Sequence, residues 1–287
     1  MLRWRLILGT CLIAAVVGLC WLDYHATVPG IVFMPLALVL SLLASQEVIS
    51  LLAARDWRPL PALVYLGNFA IVASVFVPVL LGQYEPNNAP FITFSVMVLL
   101  AFVGEMRRFT APGGSMVRIA LTVFSLAYVG LLLAIVSQLR YLLGPKTGLV
   151  SLISLIVAVK MADIGAYTVG RLIGRNKMAP VLSPGKTWEG AAGAMVFACL
   201  GSYLVLHGLL PWLSTPPIHV PWWSSAFFGV AVGAAGMIGD LAESLFKRDV
   251  GRKDSSDWMP GFGGVLDIMD SILFAAPVAY VCWKVIL

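Results

Sequence analysis

Charge is scarce in this chain: Asp, Glu, Lys and Arg make up only 11% of its 287 residues, while 60% are apolar. A soluble globular domain carries about 25% charged residues, so this composition excludes one, and the mean hydropathy of +0.93 agrees. Cysteine is scarce as well. Cys11, Cys20, Cys199 and Cys282 stand singly inside apolar runs, which excludes a disulfide framework or a thiolate metal cage and leaves small buried hydrophobes. The three histidines, His25, His207 and His219, are isolated and are expected in structural or interfacial roles. No Ser-His-Asp set, HExxH or Cys/His ligand spacing occurs, so hydrolysis by those devices is excluded. Segments of ~10 alternating residues are also missing, which argues against a transmembrane β-barrel.

What the chain has instead is long apolar runs. They predict an all-α polytopic integral membrane protein with nine spans, at roughly 6–22, 30–54, 62–82, 90–105, 118–139, 148–169, 188–210, 224–245 and 265–286. The first run follows Arg3 and Arg5 but has no small-residue cleavage site after it, so it is read as a helix and not as a signal peptide. Placing the N-terminus in the cytoplasm puts 15 of the 19 Lys/Arg inside and leaves only Arg140, Lys146 and Lys284 outside, with Lys160 in a span. Such a bias is the positive-inside pattern. The net charge of +5 then serves topology and anionic headgroups, and no nucleic acid partner is expected. Residues 1–145 read as a transmembrane scaffold of about five helices. Residues 146–287 hold about four more and nearly all the polar detail.

Seven of the fourteen carboxylates lie in the 33 residues 239–271, between the last two apolar runs. Charge at a bilayer edge is costly, so a cluster there marks a functional site. Asp240, Ser244 and Lys247 share one helix face, with Glu243 beside them, and an ion pair between Asp240 and Lys247 is the plain alternative. Gly229, Gly233 and Gly236 on the same helix read as helix packing. Asp267 and Asp270 sit on the first turns of the last helix behind Gly261, Gly263 and Gly264. Helix capping is one reading of these carboxylates; magnesium ligation is the other, with the glycine N–H groups facing phosphate oxygens.

Two further clusters precede this one. In LSPGKTWEG, residues 182–190, Ser183-Pro184 is a helix-start signal, and Gly185-Lys186-Thr187 offers an ammonium, a hydroxyl and backbone donors. The upstream glycine of a Walker A loop is absent, so the expectation is a helix start that contacts phosphate. On the sixth span Lys160 and Asp163 either neutralise each other, being three residues apart, or Asp163 faces inward and lines a polar pocket. Arg171 and Gly174 follow at the exit. Together these groups fit metal-assisted transfer at a phosphate, where a soluble polyanion meets a lipid.

The pattern GDLxES…KR…KD…PGxGGxxDxxDS, preceded by DxxAYxxGRxxG and SPGKTWEG, resembles the phosphatidate cytidylyltransferase (CDP-diacylglycerol synthase) family over about residues 160–271; the first five spans are similar only in character. The resemblance implies transfer of CMP from CTP to phosphatidate, giving CDP-diacylglycerol and pyrophosphate. It also implies Mg²⁺, with a second metal ion as an option, a bacterial-type inner membrane with the site facing the cytoplasm, and a homodimer. Asp240, Asp267 and Asp270 would be the metal carboxylates and, with Lys247, the catalytic set. Ser183, Lys186, Thr187, Ser244, Arg248, Lys253, Asp254, Gly263, Gly264 and Asp163 would face substrate. Two departures stand out. The family's PGHGG is here Pro260-Gly261-Phe262-Gly263-Gly264, and its DRxD is Asp267-Ile268-Met269-Asp270. They leave open a different lipid phosphate acceptor, or a weakened homologue acting as a scaffold or transporter.

Overall fold

The computed structural model describes residues 2–214, 216–256 and 263–286, with only the backbone for 2–8 and 12. Among these residues the chain forms nine helices. They are α1 (Leu2–His25), α2 (Phe33–Ala53), α3 (Pro61–Leu80), α4 (Ala89–Arg108), α5 (Ser115–Leu139), α6 (Gly148–Ile173), α7 (Trp188–Leu213), α8 (Trp222–Asp249) and α9 (Val265–Ile286). Eight of them, α2 to α9, are long and apolar enough to cross a membrane, and the shorter apolar stretch Gly9–His25 of α1 matches the first expected span. The protein is an all-α polytopic membrane protein, as its hydropathy predicts. One short hairpin interrupts the helices: β1 (Lys177–Ala179) pairs antiparallel with β2 (Ser183–Thr187).

The chain sorts into two compact units, and neither is a single stretch. Unit 1 is Met1–Gln138 with Asp249–Ile268; unit 2 is Leu139–Arg248 with Met269–Leu287. The expected division at 145/146 differs in one respect that matters: residues 249–268, in the middle of the charged segment, belong with the first five helices.

In unit 1 the apolar helices are tied by a few satisfied polar groups. Pro61 opens α3, where its missing N–H is no loss, and the Leu60 N–H just before it donates to Thr122 Oγ1 of α5 at 2.9 Å. Asn68 Nδ2 of α3 donates to Ser45 Oγ of α2 at 2.8 Å, both residues fully buried. Glu105 of α4 is buried and pairs with Arg118 of α5, Nη2 to Oε2 2.8 Å.

Unit 2 is packed through small residues. A Cβ at Gly165 of α6 would meet the Gly193 carbonyl and Phe197 of α7, so the two backbones lie in direct contact, as small residues permit between membrane helices. Along α8, a Cβ at Gly229 would stand 2.5 Å from Cys199 Cα, one at Gly233 2.9 Å from Ala198 Cβ, and one at Gly239 2.6 Å from Phe274 Cβ of α9. Buried Trp283 donates its indole N–H to Ser154 Oγ at 3.0 Å.

Candidate functional site

The charged residues form one assembly in each unit. In unit 2 the organising element is α8. At Gly239 the α9 backbone comes so close that a Cβ would lie 2.7 Å from the Asp270 carbonyl. Asp240, the next residue, is thereby beside Asp270, and the two carboxylates feel each other's charge. Asp270 is 5% exposed. The Ser271 N–H donates to its Oδ1 at 2.5 Å and the Ser271 hydroxyl at 3.0 Å, and Glu243 of α8 lies beside it.

Two ammonium groups face these carboxylates. Lys247 Nζ pairs with Glu243 Oε2 at 2.7 Å, both side chains almost fully buried. Lys186 Nζ reaches from β2 to Asp240 Oδ2 at 2.8 Å and also donates to the Met237 carbonyl at 3.3 Å. The alternative pairing of Asp240 with Lys247 does not occur. Lys247 lies one turn after Glu243 and nearly two after Asp240, so the nearer carboxylate takes it. Ser244 is buried on the same helix. Arg248 is exposed and donates from Nε to the Leu182 carbonyl at 3.4 Å, a second tie between α8 and the hairpin loop.

The 182–190 segment folds differently from its sequence signal. Ser183-Pro184 does not start a helix; both lie in β2. The helix begins at Trp188, and Thr187, with φ −127 and ψ 155, is its N-cap, its Oγ1 accepting from the Gly190 N–H at 3.1 Å. Thr187 is 5% exposed, so its hydroxyl serves the fold. The Trp188 N–H goes to the Asn176 carbonyl at 2.9 Å, and Glu189 accepts from the Asn176 amide at 2.6 Å. These bonds favour a strand over an earlier helix turn and hold Lys186 toward α8.

Of its two readings, Asp163 shows the ion pair. It is half-exposed and pairs with Lys160 at 3.1 Å. Its neighbours Ala162 and Gly165 take the inward face against Ala194, Ala198 and Phe197 of α7, which turns residue 163 outward.

In unit 1 the assembly surrounds the N-terminus of α9. Asp267 Oδ2 accepts from the Ser255 N–H at 2.9 Å, the Ser255 hydroxyl at 2.5 Å and the Gly264 N–H at 2.8 Å. Gly263 has φ +81, and a Cβ there would collide with the Asp267 carboxylate. The next two N–H groups, of Val265 and Leu266, donate to Glu47 Oε1 and Oε2 of α2 at 2.9 and 2.8 Å. Of the glycine N–H groups expected to face phosphate oxygens, that of Gly264 donates to Asp267, and the next two along α9 donate to Glu47. Lys253 and Asp254 are exposed. Pro260, Gly261 and Phe262, the first half of the glycine motif, lie outside the described residues.

Glu47 is the residue the sequence reading passed over. Its signal was a lone carboxylate inside the apolar run of α2, which by default marks function. Glu243 had been placed only beside the Asp240 face, without a role.

No three His, Cys, Asp or Glu side chains converge into a metal cage among the described residues. Magnesium does not need one: it takes one or two protein carboxylates and completes its shell with water and phosphate oxygens. The donor chemistry of unit 2 fits this. Asp240 is 41% exposed, Asp270 adjoins it, and the three carboxylates Asp240, Glu243 and Asp270 gather beside the two ammonium groups Lys186 and Lys247. Such a set accommodates a hard cation.

These carboxylates and ammonium groups, gathered on α8, α9 and the hairpin, define a polytopic helical membrane protein with a charged cluster between adjacent helices. The model of the Cytidylyltransferase family matches residues 3–286, and the chain belongs to that family. It is 40% identical over 140 residues to the phosphatidate cytidylyltransferase of Haemophilus influenzae, covering 48% of this chain and 47% of that protein. Against the phosphatidate cytidylyltransferase of Mycobacterium bovis identity is 34% over 174 residues, 60% and 52% of the two chains. Against that of Chlamydia pneumoniae it is 29% over 248 residues, 82% and 77%. The chain thus spans about half the length of the first two relatives.

Proposed function

We propose that this protein transfers CMP from CTP to phosphatidate, giving CDP-diacylglycerol and pyrophosphate, at the cytoplasmic face of a bacterial-type inner membrane and as a homodimer. Family membership and the names of the relatives support the reaction class. The observation that carries the reading to these residues is the 2.8 Å contact of Lys186 with Asp240, which joins the SPGKT hairpin to the GDLxES helix as a substrate site built from both would require.

In the proposed step a phosphatidate oxygen attacks the α-phosphorus of CTP. A new P–O bond forms, the bond from the α-phosphorus to the oxygen bridging to the β-phosphate breaks, and pyrophosphate leaves with that electron pair. The attacking oxygen is already anionic, so no strong general base is needed, in keeping with a cluster that has no histidine. Lys186, Lys247 and Arg248 neutralise phosphate charge and align the reacting groups. Asp240 and Asp270 in unit 2, and Asp267 in unit 1, are the residues that would each serve as Mg²⁺ ligands. When bound, Mg²⁺ supplies further neutralisation of the phosphates and of the leaving pyrophosphate.

The test is pyrophosphate release by the purified protein with CTP, Mg²⁺ and phosphatidate, run beside polyprenyl phosphate and an isoprenoid phospholipid as acceptors. Phosphatidate should be preferred. Phe262→His and Ile268→Arg, which restore the family's usual residues, report whether those departures slow turnover. Binding of CTP with no metal-dependent release of pyrophosphate for any acceptor would overturn the reading and leave a scaffold or transporter.

A further inference from the structure

Glu47 has no place in the proposed chemistry, yet it is among the most heavily engaged carboxylates of the protein. It sits near the end of α2, 5% exposed. It accepts hydrogen bonds from the Ser255 and Ser256 hydroxyls, each at 3.0 Å, and from the Val265 and Leu266 N–H groups at 2.9 and 2.8 Å. All four donors lie more than 200 residues away along the chain. A helix N-terminus leaves its first N–H groups without intrahelical partners, and a carboxylate from another helix here satisfies two of them. Ser255, held by Glu47, also bonds Asp267 through both its hydroxyl and its N–H. Gly264 lies between these groups: a Cβ there would collide with both Glu47 oxygens and with Ser255 Oγ.

We infer that Glu47 is a positioning residue: from α2 it clamps the 255–256 turn and the first turn of α9 together and thereby fixes the orientation of Asp267. The geometry requires a carboxylate. Each backbone N–H points at a different oxygen, so a glutamine would set its own NH₂ against one of them, donor facing donor. A hydrophobic residue of similar size would take the Glu47 acceptor from two buried N–H groups and from the Ser256 hydroxyl, and leave the Ser255 hydroxyl to Asp267 alone. The clamp takes up the first two N–H groups of α9, so these two are not available to phosphate oxygens.

The inference rests on the transferase reading for its activity arm only. Glu47→Gln should raise hydrogen exchange in the peptide covering 253–270 without raising it through α3 and α4. It should also lower kcat roughly 10- to 100-fold, the cost of misplacing a reacting group, while KM for CTP changes little. Glu105→Gln, which breaks a buried ion pair in the same unit, is the control for lost stability alone and should leave exchange at 253–270 unchanged. Should Glu47→Gln fail to insert, Gly264→Ala displaces the same carboxylate from the other side and should give the same local rise. Unchanged exchange at 253–270 in either variant overturns the inference, as does a loss of activity that only follows the amount of folded protein. If the wild-type protein makes no CTP-dependent product, the transferase reading fails, and the exchange measurements decide the role of Glu47 by themselves.

Discussion

Lys186 of the hairpin and Asp240 of α8 form an ion pair at 2.8 Å, with the lysine 19% and the aspartate 41% exposed. Each partner is what the other's ligand would replace: a phosphate competes with Asp240 for the ammonium, and a divalent cation competes with Lys186 for the carboxylate. A pair this open is weakly held and screened by solvent, so separating it on substrate binding costs little.

Removing one member should therefore affect turnover far more than folding. Asp240→Asn should abolish CTP-dependent formation of CDP-lipid in membranes while the protein inserts at normal levels, and Lys186→Met should lower it about 10²- to 10³-fold, as loss of a charge-stabilising contact does elsewhere. Product formation from labelled CTP, normalised to inserted protein, reads both. Near-normal turnover of Asp240→Asn would refute the metal assignment.

Chelation follows from the same geometry. With Asp240 and Asp270 the only carboxylates of unit 2 proposed as ligands, a divalent cation is held largely by substrate and water, so brief treatment with EDTA should remove activity and added Mg²⁺ should restore it fully. The protein itself should not unfold, because Lys186 and Lys247 already balance most of the carboxylate charge. A melting temperature that falls sharply with EDTA in the absence of CTP would point to a structural ion instead.

Gly239 allows α8 and α9 to touch. A Cβ would stand 2.6 Å from Phe274 Cβ and 2.7 Å from the Asp270 carbonyl, both parts of a packed helix that cannot swing aside. Gly239→Ala should cost about 1–3 kcal/mol of stability through overpacking and should also reduce turnover by moving Asp240 away from Asp270. Gly208→Ala, where a Cβ meets nothing within 4 Å, should do neither. Thermal unfolding in detergent and pyrophosphate release separate the two.

How far the sequence revealed all this depended on the distance between partners. The spans were legible because a run of apolar residues is a local property, and α2 to α9 fall within a few residues of their expected limits. Gly229, Gly233 and Gly236 were read correctly as packing positions because their spacing is helical. The hairpin at 177–187 was not legible: Pro184 normally signals a helix start, and only the Trp188 N–H bond to Asn176 and the Thr187 cap show that the helix waits four residues. Asp163 was ambiguous because periodicity does not say which face of α6 carries Gly165. Glu47 was invisible as a clamp, since the groups it clamps lie 208 or more residues away and nothing local distinguishes it from a stray charge.

Lys247 and Glu243 provide the sharpest separation of stability from chemistry. Their pair is buried, with side-chain exposures of 11% and 2%, and Glu243 also lies beside Asp270. Lys247→Met removes the ammonium and strands Glu243 in the interior, which should cost about 3–5 kcal/mol. Removing both charges with Lys247→Met and Glu243→Leu replaces a buried ion pair with apolar packing, which is often neutral for stability, so the double variant should regain much of the lost melting temperature. It should remain inactive, because the proposed reaction needs the ammonium at the phosphates and Asp270 still lacks its Glu243 contact. A double variant that recovered turnover along with stability would show that the pair serves only to hold the helix.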